Sequence, residues 1–168
     1  MRVVPGTDSI MTRENYQDFQ LHVEFNVPEL PPPVKGQSRG NRGNSGVYLQ
    51  RRYEVQILDS FGQESENFDC GALYRFKSPD RNMCKPPGEW QTYDITFHAP
   101  RWEGEGESLK KVTNARISVL QNGVMVHNHV ELPTKTGAGR KEGPEPGPIL
   151  LQDHGNEVMF RNIWVVPQ

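Results

Sequence analysis

The chain has 168 residues, with 19 basic and 21 acidic side chains and a formal net charge of −2. That length suits one domain over residues 1–168, able to bury about two thirds of the surface its unfolded form exposes. A near-neutral balance gives no field for a phosphate backbone, so nucleic acid is not expected as a partner, and no apolar run approaches the ~18 residues of a membrane-spanning helix.

The 16 glycines and 14 prolines exceed the ~12% that these two types usually make up together, and they fall between short apolar runs as the turns of an all-β protein do. No window of a dozen residues sustains the apolar spacing of a helix. From Asp18 the segment DFQLHVEFNV alternates Phe19, Leu21, Val23 and Phe25 with Gln20, His22, Glu24 and Asn26, the pattern of a half-buried strand. His22 and Glu24 are then either solvated or part of a site. Glu29 to Gly46, with Pro31, Pro32 and Pro33, reads as a long loop, expected at the rim of a cleft beside Asn44 and Ser45. Arg39, Arg42, Arg51 and Arg52 form a local basic group that could bind an anion or simply be solvated.

The least generic stretch is GNSGVYLQRRYEVQILDSFG, Gly43 to Gly62. Val47 and Leu49, then Tyr53, Val55 and Ile57, form the apolar positions of two extended segments. Glu54 and Gln56 share the other face about 7 Å apart, a useful spacing for holding one sugar ring. Glu54 and Asp59 are five residues apart and fall on opposite faces unless a bulge near Leu58 intervenes.

Gly62 to Glu89 is loop-like and carries Tyr74, a candidate stacking or hydroxyl-donating group, with Cys70 and Cys84. The two cysteines are either a disulfide worth roughly 3 kcal/mol, in an oxidising compartment, or a pair of buried thiols. Trp90 to His98 is a strand whose Trp90 could offer its face to a sugar or plug the end of a sandwich. In ARISVLQNGVMVHNHVEL, Asn122-Gly123 predicts a two-residue hairpin that pairs Leu120 with Met125, Ser118 with His127 and Arg116 with His129. His127 and His129 have the spacing of two metal ligands on one strand, but an Arg opposite one of them argues for a solvated face. Thr134 to Pro148 reads as a mobile polar segment, a candidate lid. Ile149 to Asp153 and Val158 to Val166 close the chain as two strands; on the second, Phe160, Asn162 and Trp164 are expected to oppose Met159, Arg161 and Ile163. About eight strands with long connections indicate a two-sheet sandwich.

The segments NSGVYLQ, YEVQILDS, GALY, PPGEWQTYDI, LQDHG and FRNIW, taken together and in this order, resemble the 3-keto-disaccharide hydrolase domain family over Tyr16 to Val165. The resemblance implies an all-β, two-sheet concanavalin-like β-jelly-roll sandwich with long loops, and a site on its concave sheet that acts on glycosides oxidised to a ketone at carbon 3. It also implies a bacterial, exported protein, although MRVVPGTDSIMTRENY lacks the apolar centre of a signal peptide, and a chain that begins after the family's usual first strands. Gln91 stands where many members carry Asn.

A carbon-3 ketone acidifies the carbon-2 hydrogen, so cleavage by elimination and hydration needs a base, an acid and a donor to the enolate oxygen. The candidates are His154 for proton transfer, Glu54 as alternative base and Arg161 as the cation. Gln56 and Gln152 would hold sugar hydroxyls, and Ser45, Asp59, Tyr74, Trp90 and Asp153 complete the expected binding set. No cofactor is established by the sequence; His154 with Glu54, Asp153 and amide oxygens could hold a divalent metal. Two other readings stay open: a non-catalytic carbohydrate-binding module using Trp90, Tyr48 and Tyr74, and a conventional glycosidase, for which no strand carries a paired-carboxylate cluster.

Overall fold

A computed structural model describes residues 1–31 and 41–168. The described residues are β-structured or irregular apart from short 3-10 turns such as Gly106–Ser108. Among the described residues eleven strands run in chain order: β1 (Ile10–Met11), β2 (Phe19–Asn26), β3 (Ser45–Leu49), β4 (Tyr53–Ile57), β5 (Trp90–His98), β6 (Arg101–Glu103), β7 (Lys110–Thr113), β8 (Ala115–Gln121), β9 (Val124–Leu132), β10 (Leu150–Leu151) and β11 (Met159–Pro167). β1-β10-β3-β4 form a four-stranded sheet, β11-β2-β5-β8-β9 a five-stranded sheet, and β6-β7 a separate ribbon. Every described pairing in the two main sheets is antiparallel. This is the expected concanavalin-like sandwich. The short strands β1, β6 and β7 were not legible, being too short to show a period.

The core lies between the sheets, where the period-two alternation put it. Phe19, Leu21, Val23 and Phe25 of β2 and Tyr93, Ile95 and Phe97 of β5 meet Val47, Leu49, Tyr53, Val55 and Ile57 of β3 and β4, all essentially inaccessible. Tyr53 packs on Phe97 with ring centroids 5.3 Å apart, and Tyr93 donates its hydroxyl to the Gln56 carbonyl at 2.6 Å, so each sheet is tied to the other by an aromatic side chain. The thiols of Cys70 and Cys84 are both free and buried in this core, with Cys70 Sγ 3.2 Å from the Tyr93 hydroxyl.

Two local departures from regular pairing redirect side chains. The Asn122-Gly123 hairpin forms as expected, with both residues at positive φ (52° and 79°) and Leu120 opposite Met125. Beyond it the register slips, so His127 faces Val119 and Arg116 faces Glu131, replacing the expected Ser118–His127 and Arg116–His129 pairs. His127 is therefore buried, with Nε2 2.8 Å from the Gly71 carbonyl and its pKa pushed down to about 4 by desolvation, while His129 is exposed at φ 48°. One bulge thus separates two imidazoles that simple alternation would have aligned. In β11 a second irregularity between Arg161 and Trp164, with Asn162 at φ 46°, turns Trp164 to the outward face with Arg161 instead of leaving it with Phe160.

Candidate active site

The outward face of the four-stranded sheet carries Leu150 and Gln152, then Gly46 and Tyr48, then Glu54 and Gln56, because Tyr48 is paired with both Leu150 and Glu54 and Gly46 with Gln56. Unlike an ordinary solvated sheet face, this one is covered. Every residue of β3 and β4 is buried on both sides, the polar ones included. The cover is the segment from Pro133 to Pro148 together with Tyr74.

That segment is held down rather than free. Thr136 N donates to Arg52 O at 3.0 Å, Arg140 N to Arg51 O at 2.7 Å, and Arg52 Nη1 to Glu145 O at 2.8 Å. Glu142 accepts from Tyr53 and from Lys111 Nζ. The expected mobile lid is a strap, fixed because its backbone donors find acceptors on the β3–β4 turn. The turn itself is unusual: Gln50 and Arg51 both have positive φ (54° and 56°), a geometry that ordinarily selects Asn and Gly. It points Arg51 to the rim of the site.

Glu54 is the centre of the face. Tyr48 donates its hydroxyl to Glu54 Oε2 at 2.7 Å, and Gln152 Nε2 lies 3.4 Å from the same hydroxyl, giving a line of donors from Gln152 through Tyr48 to the carboxyl. In the amide orientation that satisfies both its ends, Gln56 donates to Glu54 Oε1 at 3.2 Å and to Ser45 O at 3.0 Å. The glutamate backbone is pinned on both sides, its N donating to Thr136 Oγ1 at 2.7 Å and its O accepting from Tyr74 N at 3.1 Å. Gly46 lies under the carboxyl, where a Cβ would stand 2.5 Å from Oε1, and Gly137 lies over it, where a Cβ would meet Tyr74 Cδ1 and stand 3.2 Å from Oε2. Burial raises the Glu54 pKa to about 7, and the Tyr48 hydrogen bond only partly offsets it. The Tyr48 hydroxyl is pushed far above its ordinary range, first by burial and then by the carboxyl. Beside this pair opens a hollow of about 180 Å³ lined by Ser9, Tyr48, Arg51, Ala138, Arg140, Leu150 and Gln152.

Of the residues singled out from the sequence, Glu54, Gln56, Tyr74 and Gln152 come together here, and Ser45 supports them, its buried hydroxyl donating to the Gln152 carbonyl at 2.7 Å. Asp153 and His154 occupy the turn after β10 at the edge of the same sheet. Asp153 Oδ1 accepts from Gly155 N at 2.8 Å, and the His154 imidazole is exposed. Asn156 of that turn accepts from Gly43 N at 3.1 Å, so the turn abuts the loop whose residues 32–40, Arg39 among them, lie outside those described. Asp59 does not join Glu54. β4 ends at Ile57 without a bulge, and the Asp59 carboxylate is engaged by Arg42 at 2.7 and 3.2 Å.

Arg161 and Trp90 belong elsewhere. Both lie on the outward face of the five-stranded sheet, the guanidinium 3.8 Å from the centre of the Trp90 ring and bonded through Nε to Glu24 at 2.6 Å. The sandwich core separates them from Glu54, so the expected union of Arg161 with Glu54 and Gln56 is corrected. The cations at the hollow are Arg51, one of the basic group Arg39, Arg42, Arg51 and Arg52 noted in the sequence, and Arg140, which no sequence motif marked. The donor set His154, Glu54 and Asp153 is not gathered either; among the described residues no group of three or more His, Cys, Asp or Glu side chains converges as a metal site.

The 3-keto-alpha-glucoside-1,2-lyase-like domain matches residues 2–166. The chain belongs to this family. A crystal structure of a "putative glycosyl hydrolase" from Parabacteroides distasonis is 36% identical, with a TM-score of 0.85, covering 99% of this chain and 71% of that one. Two further structures of the same description and organism share the fold at 24% and 18% identity, with TM-scores of 0.62 and 0.64; they cover 96% and 95% of this chain and 83% and 76% of their own. No curated protein matches the chain.

Proposed function

We propose that this family member is a carbohydrate-acting hydrolase that cleaves glycosides carrying a ketone at carbon 3, by elimination and hydration at the hollow beside Tyr48 and Glu54. The observation that carries the reading is the Tyr48–Glu54 pair: a carboxyl held near pH 7 by burial, reaching the hollow through a phenol hydroxyl. A group that changes protonation near neutrality suits a reaction that must remove a proton and later return it.

In this reading the Tyr48 oxygen takes the carbon-2 proton while its own proton passes to Glu54, so no free phenolate forms. The C2–H electrons become the C2=C3 double bond of an enolate, with charge on the carbon-3 oxygen, where Arg51 and Arg140 supply cations. Collapse of the enolate restores the carbon-3 ketone, forms the C1=C2 bond and breaks the C1–O bond, and the leaving oxygen takes the proton that the Tyr48–Glu54 pair gained. Water then adds across C1=C2, its hydroxyl to carbon 1 and its proton, relayed by the Tyr48–Glu54 pair, to carbon 2. The sum is glycoside plus water giving a 3-keto sugar and an alcohol. Gln152 and Gln56 hold the pair in register. No carboxylate is among the described lining residues of the hollow, Glu54 reaching it only through Tyr48, which disfavours the paired-carboxyl mechanism of ordinary glycosidases.

The test compares a 3-keto-glucoside with its unoxidised parent, for the wild type and for Tyr48→Phe. Cleavage of the ketone alone is expected, with kcat/KM lowered about 100-fold or more in the variant, the range of lost proton-transfer catalysis. Equal cleavage of the parent, or full activity of Tyr48→Phe, would sink the reading.

A further inference from the structure

The outward face of the five-stranded sheet holds a second, open hollow. Its central row follows the ladder across four strand pairings: Trp164 opposite His22, His22 opposite Asp94, Asp94 opposite Leu120, and Leu120 opposite Met125. The next row places Gln20 opposite Thr96. Gln20, Asp94, Thr96, Leu120 and Trp164 line a hollow of about 160 Å³. Trp164 is 46% exposed, a large value for so bulky an apolar side chain, and it is there because the irregularity at Asn162 turns it outward.

The ring is also oriented. His22 stacks on it at 5.2 Å with an interplanar angle of 10°, and the imidazole is itself fixed, with Nδ1 2.6 Å from Asp94 Oδ1 and Nε2 3.3 Å from Asn162 Nδ2. An Asn162 amide donating to Nε2 leaves the proton on Nδ1, where Asp94 accepts it. The neighbouring indole, Trp90, is different in kind: its face is taken by Arg161.

We infer that this hollow is a second carbohydrate-binding site, for one pyranose of a neutral glycan. An aromatic plane presents an apolar face to the C–H side of a sugar, while Asp94, Gln20 and Thr96 supply acceptors and donors at the height of its hydroxyls. A second protein copy is the less favoured occupant, because the floor between Trp164 and Leu120 is polar where a stable interface core is depleted of charge. The site lies on the opposite side of the sandwich from Glu54 and stands or falls independently of the chemistry there. Its effect would be to hold a glycan chain near the enzyme without cutting it.

The chain has three tryptophans, so a two-dimensional 1H–15N spectrum carries three indole N–H signals, and Trp164→Ala identifies one of them. Titration with maltose, cellobiose and xylobiose should move that signal saturably and leave those of Trp90 and Trp102 in place. Native gels cast with soluble starch, mixed-linkage β-glucan or xylan should retard the wild type, with affinity lowered about tenfold or more by Trp164→Ala, about the loss of one aromatic contact. Asp94→Asn, which preserves the shape, should weaken binding without removing it. No movement of the Trp164 signal with any of the three sugars, retardation unchanged by Trp164→Ala, or a sugar-independent, concentration-dependent shift accompanied by dimer formation in sedimentation would each overturn the inference.

Discussion

Glu24 and Glu54 begin as near equals. Each sits mid-strand on the outward face of its sheet, on a strand whose other face is core. Their chemistry ends up opposite. Glu24 accepts from Arg161 Nε at 2.6 Å and Asn162 Nδ2 at 2.8 Å, and its pKa is lowered, chiefly by the guanidinium. Glu54 has a phenol instead of a cation and a strap overhead, and its pKa rises to about 7. The strand pattern makes the two carboxyls alike; what covers them makes one a salt-bridge partner and the other a proton-transfer group.

The largest expected difference is in activity. Glu54→Gln should lower kcat/KM on a 3-keto-glucoside by about 10²- to 10⁴-fold, the usual range for a missing acid-base group, while Glu24→Gln should leave it within about twofold. Equal losses in both variants, measured on proteins of equal circular dichroism, would erase the distinction between the faces.

The second difference is in stability against pH. A carboxyl whose folded pKa is raised from 4.5 to about 7 favours the folded state below the unfolded value, and that contribution is lost as pH rises through about 7. Glu54→Gln removes the loss, so in urea unfolding the variant should gain on the wild type by about 3 kcal/mol between pH 4.5 and pH 8. The difference between variant and wild type is the quantity to measure, because His127 tilts the wild-type curve the other way. Its folded pKa is pushed down to about 4, so its contribution is present above the unfolded value near 6.5 and is lost as pH falls toward 4. A flat difference between Glu54→Gln and wild type would mean that the carboxyl is solvated and the strap is open.

A third prediction acts on the cover itself. Gly137 has φ 47°, and a Cβ there meets the Tyr74 ring and approaches Glu54 Oε2. Gly137→Ala should cost about 1–3 kcal/mol from overpacking at a positive-φ site. By lifting the strap it should also bring Glu54 back toward the ordinary carboxylate range, moving the acidic limb of the activity profile to lower pH. Destabilisation with an unmoved acidic limb would show that the strap does not set the Glu54 pKa.

The sandwich was legible in sequence because its strands are half-buried and alternate: β2, β5 and the Asn122-Gly123 hairpin each follow from a period of two and one turn dipeptide. The polar face of β4 was legible for the same reason, which is how Glu54 and Gln56 came to be placed together. Side-chain direction beyond a bulge was not. The irregularities near His127 and Asn162 reverse the faces of the residues beyond them, and although Asn and His are enriched at positive φ, nothing in the alternation marks which of them adopt it. Arg51 was visible only as one of a basic group, and Arg140 was missed, because the two meet only through the strap, a contact between remote segments that no local pattern records. Arg161 shows the converse: its motif was visible and its sheet was not.

Arg161 therefore supplies the smallest and most discriminating change. On the outward face of β11 it stacks on Trp90 and bonds Glu24, far from the hollow beside Tyr48. Arg161→Ala should cost about 0.5–1 kcal/mol in urea unfolding, the worth of an exposed cation–π contact, and should leave kcat/KM on a 3-keto-glucoside unchanged. Arg51→Gln, by contrast, removes a cation from the hollow itself and should lower kcat with little change in Tm. If the two results came out reversed, the developing enolate would be met on the five-stranded sheet, and the division of labour between the two faces would have to be exchanged.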